Sequence, residues 1–167
     1  RVLFRSEKAS LLVMENAAIK RLGIPSYHWW SEGLHGFARA GVATVFPQAI
    51  GLGAMWDTDQ MNRVATVISD EARAKHHAFA RECKLYIYQG LTFWTPNINI
   101  FRDPRWGRGM ETYGEDPYLM GQTAASFIRG LQGDHPDYLK VVATAKHYAV
   151  HSGPEPDRHH FDAITDM

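Results

Sequence analysis

Two long amphipathic helices alternate with apolar extended segments, and this alternation restricts the possible fold more than any other feature of the chain. From Asp57 to about Glu82, apolar residues recur every three or four positions, which predicts a helix capped by Asp57 or Thr58. A second helix is predicted to begin with Asp116 as its cap and Pro117 in its first turn. Both helices therefore have one apolar face to bury.

Extended segments are predicted at 27–30, 91–94, 96–100 and 138–145, and the last is apolar enough to be buried on both faces. The resulting order of strand, helix, strand, helix, strand implies right-handed parallel crossovers and an α/β fold. A first helix is also predicted from Ser6 to about residue 20. A complete eight-stranded α/β barrel takes about 250 residues. The 167 residues can supply only part of one.

Composition excludes several classes of function. The 18 basic and 18 acidic residues give no net charge, which removes the electrostatic case for binding nucleic acid or an anionic membrane. No apolar stretch approaches the ~20 residues that span a bilayer, and no signal-peptide pattern follows Arg1. Cys83 has no partner for an internal disulfide and is expected in the core. Gly51-Leu52-Gly53 lacks the third glycine of a nucleotide fingerprint.

Three polar clusters, at 31–36, 102–111 and 146–158, each follow a predicted extended segment. In a parallel α/β barrel, the loops after the strands emerge on one face, and that face holds the active site. We therefore expect these clusters to meet in space. Aromatic residues make up 12% of the chain, which suits a site that stacks flat apolar faces beside polar rims.

The second cluster contains three arginines, Trp106 with its apolar face, and two glycines that permit a tight path. A guanidinium offers forked N–H donors that suit adjacent hydroxyls or a carboxylate, so each arginine either binds a substrate or braces the loop. Lys146 and His147 at a strand end favour substrate binding or proton transfer over a merely structural role. Four histidines also raise a metal hypothesis, although their Gly/Pro-rich segment does not place them on one helix face; they are His147, His151, His159 and His160.

Several carboxylates are available for acid–base chemistry. Asp116 is better explained as a helix cap, and Glu115 as a charge favoured by the positive helix end. The sequence does not select an acid and a nucleophile from the others, which are Glu32, Asp103, Glu111, Glu155 and Asp162.

Four motifs together resemble the N-terminal barrel domain of glycoside hydrolase family 3. They are Trp-Trp-Ser-Glu-Gly-Leu-His-Gly at 29–36, Thr-Val-Phe-Pro-Gln at 44–48 through Trp-Asp at 56–57, Arg-Asp-Pro-Arg-Trp-Gly-Arg at 102–108 through Tyr-Gly-Glu-Asp-Pro at 113–117, and Lys-His-Tyr at 146–148. The resemblance runs in order from about Arg21. It implies that residues 1–167 form roughly the N-terminal half of a (β/α)8 TIM barrel, truncated at the C-terminal end and also at the N-terminal end.

The resemblance also implies a function. It indicates a retaining exo-β-glycosidase that releases terminal non-reducing β-D-xylosyl or β-D-glucosyl residues from a small oligosaccharide or an aryl or alkyl β-glycoside. The sugar-binding residues that carry over by motif are Glu32, Arg108, Lys146, His147 and Arg158. Glu32 favours the β-xylosidase-like branch, because many β-glucosidases have Asp there.

No residue matches the motif of the family's aspartate nucleophile or of its acid/base glutamate, which usually lies in a following domain. The chain alone is therefore expected to be inactive, and aggregation-prone because a half-barrel exposes strand edges. The resemblance implies no cofactor and no metal, and is compatible with a secreted or periplasmic protein. The alternatives are a non-catalytic sugar-binding module and the metal-dependent hydrolase raised above.

Overall fold

Two packed helices form the centre of the structure, a computed structural model that describes residues 3–82 and 85–164. Helix α3 (Thr58–Arg81) begins where Asp57 accepts a hydrogen bond from the backbone N–H of Gln60 at 2.8 Å. Helix α4 (Pro117–Gln132) begins where Asp116 accepts one from Leu119 at 2.8 Å. Both predicted helices and their caps are confirmed.

The apolar faces of α3 and α4 bury each other. A side chain at Gly130 would collide with the carbonyl oxygen of Asn62, so the two backbones approach at this point more closely than any other residue allows. The core residues of the two helices are Met61, Val64, Ala65, Ile68 and Ala72 from α3, with Met120, Ala124, Phe127 and Leu131 from α4.

Three extended segments lie side by side and run parallel. Strand β3 (Thr92–Phe93) pairs with β4 (Val142–Ala143), and Ser31 forms a parallel bridge to Phe93 on the other side of β3. The three segments lie side by side in the same order as they occur in the sequence, and α3 and α4 connect one segment to the next. The α/β class with parallel crossovers is confirmed, and the strands do not close into a complete barrel within residues 3–82 and 85–164.

Two expectations about local structure are wrong. Helix α1 (Arg5–Ser10) stops early, because β1 (Glu15–Asn16) pairs antiparallel with β2 (Tyr27–His28) where the helix was expected to continue. Leu12, expected on a helix face, is 87% exposed. Val142 is 42% exposed, so the last strand is not buried on both faces. Cys83 lies outside the described residues.

Shorter elements complete the described chain. Helix α2 (Ala49–Gly53) precedes α3, and single 3₁₀ turns lie at Lys20–Leu22, Gly109–Glu111 and Glu155–Asp157. None of the described helices combines the length and the apolar character that crossing a membrane requires.

Candidate functional site

A cleft of about 1210 Å³ opens at the carboxyl ends of the three parallel segments. The five residues expected at the site all line it, namely Glu32, Arg108, Lys146, His147 and Arg158. The convergence of the three polar clusters is therefore confirmed. It follows from the topology, because each segment ends at the same edge of the sheet.

Glu32 and Lys146 lie opposite each other, although 114 positions separate them. Lys146 Nζ lies 3.5 Å from Glu32 Oε2, while Trp30 Nε1 donates to Glu32 Oε1 at 2.8 Å. The side chain of Lys146 is only 11% exposed and that of Glu32 only 20%. This long, weak contact leaves the ammonium and the carboxylate able to bind another polar group between them.

Arg108 is held by Glu111 in a bidentate pair, with Nε to Oε1 at 2.7 Å and Nη2 to Oε2 at 2.6 Å. The pair comes from the turn Gly109–Glu111, which brings residues three apart together. Hydrogen bonds to Glu111 raise the pKa of Arg108. Burial alone would raise the pKa of Glu111, but the bonds and charge of Arg108 bring it below its ordinary value. Both groups are therefore charged at neutral pH.

His147 lies between a buried amide and a second histidine. Asn99 Oδ1 accepts hydrogen bonds from the backbone N–H of His147 at 3.0 Å and from Nδ1 at 2.8 Å. The ring stacks on that of His151 with centroids 4.0 Å apart. Burial first, then His151 and the cations Arg108 and Lys146, lower the pKa of His147 to about 3. The imidazole is therefore neutral at ordinary pH.

Arg158 reaches the cleft through a contact between two loops. Its Nε donates to Glu155 Oε1 at 2.9 Å, and Glu155 Oε2 accepts from the backbone N–H of Gly107 at 3.2 Å. A side chain at Gly107 would occupy the place of this carboxylate, which explains why the arginine-rich loop has glycine there. Glu155 thus joins the last polar cluster to the second one.

The aromatic wall of the cleft differs from the expectation. Trp106 is 2% exposed and packs against Phe101 and His151, so it belongs to the core of the loop and offers no face to a ligand. Trp30 and Trp94 line the cleft instead, stacked at 4.6 Å with ring planes 6° apart. Trp94 ends a predicted extended segment, and this position was the signal that could have identified it.

The structure separates bracing arginines from those in the cleft. The side chain of Arg105 is 72% exposed and pairs with Asp103 at 2.7 Å, and its hydrogen bonds lower the pKa of Asp103 to about 2. Neither residue lines the cleft, so this pair braces the loop. Arg108 is both braced by Glu111 and placed in the cleft.

The four histidines do not form a metal centre in the structure. No three His, Cys, Asp or Glu side chains are arranged to hold a metal ion anywhere in residues 3–82 and 85–164. His147 and His151 stack with nearly parallel rings, and because an imidazole binds a metal in its own ring plane, this geometry does not direct one nitrogen of each ring at a shared ion.

Comparison with known proteins identifies the family. Residues 5–167 match the glycosyl hydrolase family 3 N terminal domain. The chain belongs to this family. It is 49% identical over 156 residues to a xylan 1,4-beta-xylosidase of Xylanibacter ruminicola, a match covering 92% of this chain and 18% of that protein. It is 46% identical to the probable beta-D-xylosidase 7 of Arabidopsis thaliana over 162 residues, covering 87% of this chain and 20% of that protein.

Solved structures of family 3 enzymes have the same fold. The exo-beta-xylosidase XlnD, in complex with a xylobiose aziridine probe, matches with a TM-score of 0.77 at 34% identity, covering 94% of this chain and 20% of XlnD. The GH3 beta-glucosidase of Bifidobacterium adolescentis matches with a TM-score of 0.71 at 29% identity, covering 93% and 21%. The expectation that this chain forms part of a TIM-barrel-type domain is therefore confirmed. The chain spans about a fifth of the length of these relatives.

Proposed function

We propose that this chain supplies the sugar-binding part of a retaining β-xylosidase that releases terminal non-reducing β-D-xylosyl residues. The observation that carries the proposal is the meeting of Glu32, Arg108, Lys146 and His147 in one cleft. Relatives named as xylosidases that are 43–49% identical, and the resemblance that Glu32 carries to the β-xylosidase-like branch, support xylose over glucose.

The donors and acceptors of the cleft fit a neutral sugar. Hydroxyls on adjacent carbons of a pyranose can both donate and accept hydrogen bonds, and the cleft pairs the Glu32 carboxylate with the Lys146 ammonium at 3.5 Å. Arg108 uses two of its five N–H donors on Glu111, which leaves three for a ligand. The stacked Trp30 and Trp94 supply the apolar surface that the C–H face of a sugar requires.

These contacts contribute to catalysis to the extent that they strengthen in the transition state. Glycoside hydrolysis passes through an oxocarbenium-like transition state, in which hydrogen bonds to the sugar hydroxyls become stronger. A carboxylate such as Glu32, only 20% exposed, makes strong charge-assisted bonds because little water competes for it.

The two reacting carboxyl groups are proposed to come from elsewhere in the complete enzyme. Retention needs a nucleophile and an acid/base about 5–5.5 Å apart across the scissile bond. The glutamates that line the cleft are Glu32 and Glu111, and each is already held by cationic or N–H donors. The lowered pKa of Glu111 also opposes a role as general acid at neutral pH. The chain alone is therefore expected to bind sugar without cleaving it.

The test compares the complete enzyme with the 167-residue chain on the nitrophenyl glycosides of β-xylose and β-glucose. We expect the complete enzyme to release nitrophenol with a higher kcat/KM on the xyloside than on the glucoside. Proton NMR should detect β-xylose as the first product, because a retaining enzyme keeps the configuration of the anomeric carbon. A faster reaction on the glucoside would make it a β-glucosidase. Binding of xylose by the complete protein without hydrolysis would establish the sugar-binding module instead, and turnover by the chain alone would refute the division of roles.

A further inference from the structure

Asn99 is buried behind the cleft, in the segment that follows β3, and is only 5% exposed. Its Oδ1 accepts two hydrogen bonds from one residue, His147: the backbone N–H at 3.0 Å and Nδ1 at 2.8 Å. Its Nδ2 donates to the carbonyl oxygen of Ala149 at 3.2 Å. All of its side-chain polar atoms are thus committed to the segment that carries His147.

These contacts determine which nitrogen of the imidazole carries a hydrogen in the neutral ring. A backbone N–H can only donate, so the Asn99 atom that faces it must be the oxygen, and the Nδ2 contact with a carbonyl gives the same orientation. An oxygen that only accepts requires the nitrogen opposite it to carry a hydrogen. His147 Nδ1 is therefore protonated, and in a neutral imidazole Nε2 is then an acceptor.

Nε2 of His147 is left for a ligand. It makes no hydrogen bond to any residue in the described ranges, and His147 lines the cleft. The parallel stack with His151, with ring planes 13° apart, fixes the plane in which Nε2 points. The groups that face the ring are His151, Arg108, Lys146 and Glu111, and burial together with the three basic side chains opposes a second proton on it.

We infer that Asn99 is a positioning residue that holds His147 as the Nδ1–H tautomer, so that Nε2 accepts a hydrogen bond from a sugar hydroxyl. The inference rests on the proposed function and assigns a polarity to each half of the Lys-His pair. Lys146 can only donate, whereas His147 accepts. One hydroxyl that donates to His147 while a neighbouring hydroxyl accepts from Lys146 is the pattern of a vicinal diol.

Kinetics on the complete enzyme with nitrophenyl β-xyloside test the inference through a double-mutant cycle. Asn99→Leu removes the acceptor. Introduced into the wild-type enzyme, it should lower kcat/KM roughly tenfold; introduced into the His147→Ala variant, it should cause no further loss. Asn16→Leu is the control, because it removes another buried asparagine, 2% exposed, that bonds Trp29 and does not line the cleft. It should lower thermal stability without changing kcat/KM. An equal Asn99→Leu loss in both backgrounds would overturn the inference.

Asn99→Asp keeps the acceptor and decides the question if the leucine variant does not fold. We expect near-normal activity at neutral pH. The new carboxylate should raise the pKa of His147, so that the acid limb of the kcat/KM profile moves to higher pH, since a doubly protonated ring has no acceptor. This movement should vanish in Asn99→Asp/His147→Ala. A movement that persists without the imidazole would contradict the inference.

NMR of the histidine nitrogens separates the inference from the proposed function, because it needs no turnover. In the complete protein labelled with ¹⁵N-histidine, the signal lost in His147→Ala should show a protonated Nδ1 and an unprotonated Nε2. Xylose should then perturb Nε2. A protonated Nε2 in the wild type would refute the role of Asn99 even in an active xylosidase. Inactivity toward xylosides with the expected tautomer would refute only the proposed function.

Discussion

The bidentate pair between Arg108 and Glu111 gives the sharpest prediction. Replacing Glu111 with Gln preserves the shape of the side chain but removes its charge and turns one acceptor into a donor that faces the guanidinium. The two bonds are 2.7 and 2.6 Å long, and both side chains are only about a fifth exposed, at 23% and 21%. We therefore expect the guanidinium to leave the position in which it faces the cleft.

The magnitude follows from the type of bond that is lost. A hydrogen bond to a charged group contributes about 1.5–3 kcal/mol, and each 1.36 kcal/mol is about tenfold in rate. Glu111→Gln in the complete enzyme should therefore lower kcat/KM for nitrophenyl β-xyloside about 10- to 100-fold. Initial rates measure this, and a thermal melt of each variant establishes that the enzyme remains folded at the assay temperature.

Asp103→Asn is the matched control, because it breaks a second Arg–carboxylate pair in the same loop. That pair lies outside the cleft, and its arginine is 72% exposed, so the substitution should change kcat/KM by less than about twofold. If Glu111→Gln and Asp103→Asn have the same small effect, Arg108 does not depend on Glu111 for its position in the cleft, and the prediction is wrong.

Three further predictions concern stability. The pKa of folded Glu111 lies below its ordinary value, so its contribution to stability is complete above that ordinary value and is lost as pH falls through the lowered pKa. In urea unfolding, the difference in the free energy of unfolding between the wild type and Glu111→Gln should therefore shrink toward acid pH. A difference that does not change with pH would contradict this. Gly130→Ala should destabilise the folded protein by about 1–3 kcal/mol. Gly121→Ala is the control: this position has open space around it, so the substitution should be neutral or slightly stabilising. Equal melting temperatures for the two variants would refute the close contact between α3 and α4. The 167-residue chain produced alone should aggregate, since Val142 and other large apolar side chains are exposed; a monodisperse monomer with a sharp melt would contradict this.

The helices were predictable because their causes are local. Apolar spacing and the caps Asp57 and Asp116 define α3 and α4, and strand–helix alternation then determines the parallel order. The end of the first helix was not predictable in this way. Asn16 bonds Trp29 from a strand that was expected to be helical, and a contact between segments 13 positions apart leaves no period in the sequence.

The candidate site likewise contains residues that could be predicted from local sequence and residues that could not. Strand-end positions and the family motifs were sufficient to predict that Glu32, Lys146 and His147 share one site. The partners that orient His147 and Arg108 were missed: Asn99 lies in a segment predicted only to be extended, and Glu111 was one carboxylate among several. Their roles depend on which side chain a folded loop places opposite them, and residue type alone does not contain that information.

A crystal structure of the complete protein with xylose would show whether Glu32, Lys146 and His147 bind one sugar together. We expect a pyranose in the cleft, with its hydroxyls within hydrogen-bond distance of Glu32, Lys146 and His147 Nε2 and with an apolar face toward Trp30 and Trp94. A sugar bound elsewhere, with none of these three side chains within hydrogen-bond distance of it, would contradict this prediction.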